Sequence, residues 1–190
     1  MKLLKSVVIM GIVGACVAAI GGLAFIYSGV YPMGADVPHT KAVYWALDTM
    51  RERSIATRTK DIQVPNLDDP KMLLAGGQDY NEMCAGCHLK PGKTTSDLNA
   101  GLYPQPPNLA LPHRMDLDAK QRAARQFWYI KHGIKASGMP AWGSSHTDER
   151  IWEMVAFLQK MPTMSPEVYQ IVTAPPEGES GMAGMSHDGM

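Results

Sequence analysis

The stretch Cys84-Ala85-Gly86-Cys87-His88 decides the interpretation of this 190-residue chain. Two thiols three positions apart at the start of a helix can add to the two vinyl groups of a haem, and the adjacent histidine then lies under the iron as an axial ligand. Thioether bonds keep the cofactor in place outside the cell. We therefore predict one covalently bound haem c, attached through Cys84 and Cys87, with His88 as an axial ligand of the iron.

Two other kinds of site also use a Cys-x-x-Cys pair, namely thioredoxin-like redox sites and zinc sites. A zinc site needs two more cysteine or histidine ligands at suitable spacing, whereas Cys16 lies in an apolar segment and the other histidines are scattered. A thioredoxin-like site is expected among alternating strands and helices, but the sequence has no convincing strand pattern. Both alternatives are less well supported than covalent haem.

A second iron ligand is predicted at Met139, 51 positions after His88, in the loop Ser137-Gly138-Met139-Pro140-Ala141-Trp142. The glycine and the proline beside it stiffen the loop, so that one side chain can be presented to the far face of the haem. A thioether is a soft ligand that favours ferrous iron and raises the reduction potential. His132 and His146 remain alternatives. Weaker candidates are His113, Met115 and Met161.

The spacing of apolar residues predicts an all-α fold. Beyond the N-terminus, helices are predicted from Thr40 to about Thr57, from Asp69-Pro70 to near Cys84, from Asp118 to about His132 with Gly133 as a stop, and from the Thr147 cap to Pro162. Gly76 and Gly77 inside the second of these cost about 1 kcal/mol each relative to alanine, which suggests close packing against another helix. Residues 89–112, rich in proline, glycine and asparagine, are predicted to form a long loop.

The N-terminus is predicted to be a single transmembrane helix. Residues 6–31 carry no charge, and this run of 26 residues is long enough to span ~30 Å of hydrocarbon. Lys2 and Lys5 precede it, so the positive-inside rule predicts a single-pass protein of the bacterial inner (cytoplasmic) membrane, with the remaining chain in the periplasm. A cleaved signal peptide is an alternative, although signal peptides have a shorter apolar core than this run of residues. Val13-Gly14-Ala15-Cys16 resembles a lipoprotein cleavage box, but cleavage there leaves an apolar stub.

The hydropathy, the predicted helices and the haem-attachment motif together divide the chain into four segments. We predict a membrane anchor in residues 1–31, a linker with a membrane-proximal helix in 32–69, the haem-binding domain in 70–162 and a flexible tail in 163–190. The sequence leaves open whether the membrane-proximal helix contacts the membrane, a partner or the haem-binding domain. His39 in the linker is expected to be solvated. No internal repeat and no second Cys-x-x-Cys-His is present, so one haem is expected.

Charge and tail composition bear on the partners. The formal net charge is zero at pH 7, and positive charge is not clustered, so no nucleic-acid partner is indicated. The tail brings together soft ligands of the kind that suit copper(I). Copper binding is therefore a hypothesis beside the simpler interpretation of a flexible tail. The residues concerned are Met182, Met185, His187 and Met190.

Residues 70–162 resemble the class I c-type cytochromes. The resemblance rests on the attachment motif with Gly76 and Tyr80 before it, on the Gly-Met-Pro loop at Met139, and on the last helix from Trp152 to Leu158. It implies an all-α domain around one mostly buried haem, in which the last helix crosses the first. One haem edge is then exposed for electron exchange.

The resemblance also implies neighbours for the haem and its ligand. The carbonyl of Pro106 or Pro107 is expected to accept the ring N–H of His88 and so to orient the imidazole. Trp142 and Tyr103 are expected to donate hydrogen bonds to a haem propionate.

Six-coordinate iron with histidine and methionine ligands has no open position, so we predict an electron carrier and not an enzyme. Its partners are then redox proteins in or at the membrane, whose identity the near-neutral charge does not indicate. The alternative is a haem-bearing subunit of a larger membrane-bound oxidoreductase or respiratory complex, with the helix from Thr40 to Thr57 as a docking element. A third possibility is a catalytic haem, as in a peroxidase, which requires Met139 to be absent or easily displaced.

Overall fold

A computed structural model describes residues 2–112 and 117–175. All regular structure in these ranges is helical, which confirms the predicted all-α class. The α-helices are α1 (Lys2–Tyr27), α2 (Lys41–Arg58), α3 (Pro70–Asp79), α4 (Ala85–His88), α5 (Asp97–Gly101), α6 (Ala119–His132), α7 (Asp148–Lys160) and α8 (Pro166–Val172). A π-helical turn over Tyr80–Cys84 joins α3 to α4, and 3-10 turns cover Trp142–Ser144 and Met161–Thr163.

The chain forms two compact units, Met1–Pro38 and His39–Met190. In the first unit, α1 has 26 residues and a mean hydropathy of 2.5 over its most apolar window, and none of its residues is buried. At ~1.5 Å per residue, a helix of this length can cross the ~30 Å hydrocarbon layer of a bilayer. The length and composition of α1 therefore fit a membrane anchor.

Local chemistry sets the ends of the helices in the second unit. The side chains of Thr40, Asp69, Asp118 and Thr147 each accept a backbone N–H from the first turn of α2, α3, α6 and α7, respectively. These caps satisfy N–H groups that have no partner inside the helix. Gly133 follows α6 with a φ of 61°, a conformation that favours glycine. The helix starts and the stop predicted from the sequence are confirmed.

Helices α3 and α7 are in close backbone contact at Gly76. A Cβ atom at this position would lie 1.9 Å from the backbone oxygen of Glu153, so a side chain does not fit. A Cβ at Gly77 would lie 3.1 Å from the ring of Phe157 in α7, a tighter contact than usual but with a side chain. Arg150 closes the contact by donating two hydrogen bonds of 2.7 Å to the carboxylate of Asp79. The close packing predicted from the two glycines is confirmed.

Aromatic side chains form much of the core of the second unit. The ring of Tyr80 contacts the rings of Phe157 and Tyr169, with centroid separations of 5.4 and 6.4 Å. Phe127 of α6 stacks on Trp152 of α7 at 4.2 Å. Such ring pairs add to the stability that burial of their area supplies. Because Tyr80 begins the π-helical turn that leads into α4, this core also anchors the attachment motif.

Helix α2 packs on α6, and α2 belongs to the same compact unit. Ile55 is only 1% exposed, and Glu52 forms an ion pair with Arg125 of α6. The sequence left open whether this helix contacts the membrane, a partner or the haem-binding domain. In the structure it contacts the domain that carries the Cys-x-x-Cys-His motif. The segment after α2 also packs on this domain, since three of its apolar side chains contact the core: Ile62, Val64 and Leu67.

Two predicted irregular segments contain short helices. The loop over residues 89–112 includes α5, which Ser96 caps. The predicted flexible tail is corrected over residues 163–175, where α8 forms and Tyr169 is buried with 2% exposure. The physical reason is that Tyr169 fills the aromatic core against the preceding helices. The proposed copper ligands lie outside the described residues: Met182, Met185, His187 and Met190.

Candidate haem site

The attachment motif lies on a short, bent piece of helix. The π-helical turn ends at Cys84, and α4 then runs from Ala85 to His88, so the two cysteines and the histidine share a single turn. Leu89 follows with a φ of 65°. The chain therefore turns sharply away directly after the histidine, which separates the motif from the loop that follows.

Cys84 is not in a setting that activates a thiolate. Burial raises the pKa of the Cys84 thiol to about 12, with smaller contributions from the charges of Asp79 and Cys87. Redox-active and metal-binding thiolates instead have a lowered pKa next to positive charge. No group of three or more metal-binding side chains comes together in residues 2–112 and 117–175. The zinc and thioredoxin-like alternatives thus gain no support.

His88 is oriented by a hydrogen bond at one ring nitrogen. Its Nδ1 lies 3.0 Å from the carbonyl oxygen of Pro107. Because a carbonyl only accepts, Nδ1 carries the proton and Nε2 keeps its lone pair. Burial lowers the pKa of His88 and favours this neutral form, although the bond to Pro107 opposes the shift. The expected contact with a proline carbonyl is present at Pro107, and it leaves Nε2 available to a metal.

Met139 lies in a loop held by its own backbone. Its N–H donates to Ser137 Oγ at 3.2 Å, and its carbonyl accepts from the N–H of Ile134, also at 3.2 Å. A Cβ at Gly133 would lie 2.7 Å from the Met139 carbonyl oxygen, so this glycine permits the close turn. The half-buried Met139 side chain packs against the core. Two hydrogen bonds and the close turn at Gly133 therefore hold the backbone of Met139 in place.

The alternative distal ligands have different surroundings. His132 is exposed and lies against Trp128, with 5.0 Å between ring centroids. Met161 is fully buried in the core. His146 has its Nδ1 2.8 Å from Ser145 Oγ, and its buried Nε2 has no hydrogen-bond partner among the described residues. His146 is thus the rival whose buried ring nitrogen lacks a protein partner. His113 and Met115 lie outside the described residues.

The aromatic residues expected near a propionate already have protein contacts. Tyr103 Oη accepts the backbone N–H of His39 at 3.1 Å, and the two rings meet edge to face with centroids 5.2 Å apart. His39 is therefore half-buried and not fully solvated as expected. Trp142 contacts the ring of His146 at 5.2 Å. The propionate roles of Tyr103 and Trp142 stay predictions.

Sequence reasoning missed the side chains that bind the carbonyl groups of the attachment turn. Ser96 Oγ donates to the carbonyl of Gly86, and Asn99 Nδ2 donates to that of Cys87 at 2.8 Å. Tyr80 Oη donates to the carbonyl of Leu89 at 2.6 Å. These carbonyls lie at the end of α4, where no helical N–H is available to them. The signal in the sequence was the capping residue Ser96 three positions before Asn99.

The donor set fits a c-type haem. Two thiols on one helical turn, a neutral imidazole and a thioether are the groups that attach and ligate such a haem. Half-buried apolar side chains next to the motif and in the distal loop pack against the core and supply apolar surface: Leu109, Ala110, Met139 and Trp142. The residues present therefore fit both the attachment and the ligation of such a haem.

Comparison with known proteins found one match over this region. Residues 72–158 match the family model described as cytochrome C oxidase, cbb3-type, subunit III. The match begins in α3 and ends in α7, so it includes the attachment turn and the loop at Met139. No curated protein and no solved structure matches the chain. Residues 72–158 thus form a c-type cytochrome domain, which binds haem c covalently and serves in electron transfer.

Proposed function

We propose that this protein is a membrane-anchored electron carrier with His88 and Met139 as the axial ligands of one haem iron. The observation that carries the proposal is the His88 imidazole, held at Nδ1 by Pro107 at 3.0 Å so that Nε2 is the free ligand atom. When bound, the haem iron gains and releases one electron. The chain supplies the attachment, the ligand orientation and the apolar surroundings.

Met139 is proposed as the distal ligand because its loop has few conformations available. Backbone hydrogen bonds hold the residue on both sides, and Pro140 follows it directly. A thioether is a weakly basic, soft donor that stabilises ferrous iron and raises the potential. Two protein ligands leave no position for oxygen or peroxide, which supports electron transfer over a catalytic haem.

The periplasmic location is proposed from the charges beside α1. Lys2 and Lys5 are the only charged residues in the first 31 positions. Positive residues next to a membrane-spanning helix stay on the cytoplasmic side. The cytochrome domain then lies in the periplasm of a bacterial inner membrane, where covalent haem attachment prevents loss of the cofactor.

The visible spectrum of the purified holoprotein tests the ligand assignment. Oxidised low-spin haem with a methionine ligand is expected to show a weak absorption band in the red that other ligands do not give. Met139→Ala should lose this band, because the thioether is removed, and should let the reduced protein bind carbon monoxide. Met50→Ala is the matched control, since Met50 is 62% exposed on α2; it should keep the band.

Three results would contradict parts of this proposal. A wild-type protein without the band, whose spectrum changes in His146→Ala or His132→Ala, would assign the distal position to that histidine. Rapid carbon monoxide binding by the reduced wild type would favour a catalytic haem. If the protein purified from cells able to attach haem c shows no haem bands, the cytochrome assignment itself is wrong.

A second candidate function is that of a haem-bearing subunit in a larger membrane-bound oxidoreductase or respiratory complex. It is favoured by the family model matched by residues 72–158, whose description names an oxidase subunit. Helix α2 presents exposed apolar side chains on which a partner can dock: Tyr44, Trp45, Leu47 and Met50. Purification in mild detergent separates the two functions. Stoichiometric recovery with other membrane subunits supports the complex, and recovery alone supports the carrier.

A further inference from the structure

Asn99 is a buried polar residue that the proposed function does not use. It lies in α5 and is 3% exposed. Its Nδ2 donates to the carbonyl oxygen of Cys87 at 2.8 Å and to that of Pro106 at 2.9 Å. One side-chain amide therefore joins the attachment turn to the proline segment that follows α5.

The orientation of the Asn99 side-chain amide follows from its three hydrogen-bond partners. Gln105 Nε2 donates to Asn99 Oδ1 at 2.8 Å. Carbonyl oxygens only accept, so a rotated amide would place Oδ1 against the oxygens of Cys87 and Pro106, and its NH2 group against that of Gln105. Both donor hydrogens of Asn99 are thus used, and only one arrangement satisfies all three contacts.

The two carbonyl groups that Asn99 binds lie next in sequence to His88 and Pro107, which are hydrogen-bonded to each other. Cys87 directly precedes His88, and Pro106 directly precedes Pro107, whose carbonyl accepts from His88 Nδ1 at 3.0 Å. The bond from Asn99 to these segments therefore lies beside the bond from the imidazole to its acceptor. Because the ring of each proline restricts its backbone φ, a fixed Pro106 carbonyl limits the position of the next carbonyl as well.

We propose that Asn99 is a positioning residue, which sets the strength of the hydrogen bond from His88 to Pro107 and thereby the reduction potential of the haem iron. The inference rests on the proposed function, in which His88 is an axial ligand. A hydrogen bond from Nδ1 to a carbonyl increases the electron density and basicity of the imidazole. A more basic ligand stabilises ferric iron, so a weaker bond to Pro107 raises the potential.

The test compares Asn99→Ala with the wild type, both as full-length holoprotein in detergent. Redox titration gives the midpoint potential, and proton NMR of the diamagnetic reduced form gives the exchange rate of the His88 ring N–H with solvent. We expect faster exchange, because the bond to Pro107 is loosened. We also expect a shift of the one-electron equilibrium toward the reduced form by up to about tenfold, or ~59 mV.

Asn108→Ala is the matched control, because Asn108 directly follows Pro107 but bridges different groups. Its side chain donates to the Lys93 carbonyl at 3.4 Å and accepts the N–H of Ala110 at 3.0 Å. This variant should leave the potential and the ring N–H exchange unchanged. Gln105→Ala should shift both in the direction of Asn99→Ala but less, since it removes only one of the three partners that hold the amide.

Several outcomes overturn the positioning role. It fails if Asn99→Ala leaves both readouts at wild-type values, or if Asn108→Ala shifts them equally, which would indicate general loosening of the loop. If Asn99→Ala does not mature, Gln105→Ala decides, and unchanged readouts there overturn the role. Failure of the proposed function is distinct: the wild type itself would lack a His88 ring N–H signal displaced by the haem ring current.

Discussion

At the scale of single residues, Cys84, Cys87 and His88 are recognisable because their chemistry depends on spacing along the chain. The caps at the helix starts are predictable for the same reason, since a capping side chain and its N–H partner lie two or three positions apart. The role of Asn99 is different. Its acceptors are 12 and 7 positions away in the sequence, and they meet only when the loop has folded.

Gly76→Ala is expected to destabilise the domain, because the added Cβ would lie 1.9 Å from the backbone oxygen of Glu153. A backbone atom cannot move aside as a flexible side chain can, so α3 and α7 must separate. Overpacking of this kind costs about 1–3 kcal/mol or more. Guanidinium unfolding of the holoprotein measures the change.

Gly101→Ala provides the comparison for this substitution. No atom lies within 4 Å of the position that a Cβ at Gly101 would take. The free energy of unfolding should therefore change by less than about 0.5 kcal/mol. Equal effects of the two substitutions would mean that the approach of α3 to α7 at Gly76 does not limit the fold.

At the scale of secondary structure, length determines what the sequence can predict. Helices α6 and α7 have 14 and 13 residues, enough for apolar periodicity and caps to be visible. Helices α5 and α8 have 5 and 7 residues. A helix so short is not stable by itself in water and forms because tertiary contacts hold it. The local sequence pattern therefore does not predict these two helices, which lie in segments predicted to be loop and tail.

Ile55→Ala tests the packing of α2 against α6. Ile55 is 1% exposed, and truncation of a buried isoleucine costs about 2–5 kcal/mol. The melting temperature should fall, while the weak red band of the methionine-ligated haem remains in the folded state because no iron ligand is changed. Met50→Ala, on the exposed side of the same helix, should have little effect. An unchanged melting temperature in Ile55→Ala would indicate that α2 does not contribute to the stability of the domain.

At the scale of the whole molecule, charge and hydropathy are distributed unevenly. The first 31 residues hold two basic side chains and no acidic ones, although the chain as a whole is neutral. This asymmetry is what predicts an anchor with its N-terminus in the cytoplasm.

The proposed membrane anchor makes a direct prediction for the mature protein. Expressed in a bacterium that attaches haem c, the protein should remain in the membrane after alkaline carbonate extraction, because a 26-residue apolar helix is held by the hydrocarbon layer. Intact mass spectrometry should give the mass of the chain with Lys2 and Lys5 retained plus one haem.

Two other masses would contradict the anchor. Loss of the apolar segment, with release of the protein into the periplasmic fraction, would identify a signal peptide. A chain that begins at Cys16 with lipid attached would identify a lipoprotein. Either result would change how the cytochrome domain is tethered and would leave its haem chemistry as described.

The haem-attachment motif, the all-α class, the main helix ends and the close packing at the α3 glycines are predictable from the sequence, because each leaves a local signal or a repeating apolar pattern. The packing of α2 on α6, the place of α8 in the aromatic core, and the link that Asn99 makes between Cys87 and Pro106 are visible only in the folded structure. These contacts link residues whose separation in sequence carries no local signal. They form because burial of apolar area and satisfaction of buried polar groups are properties of the folded chain.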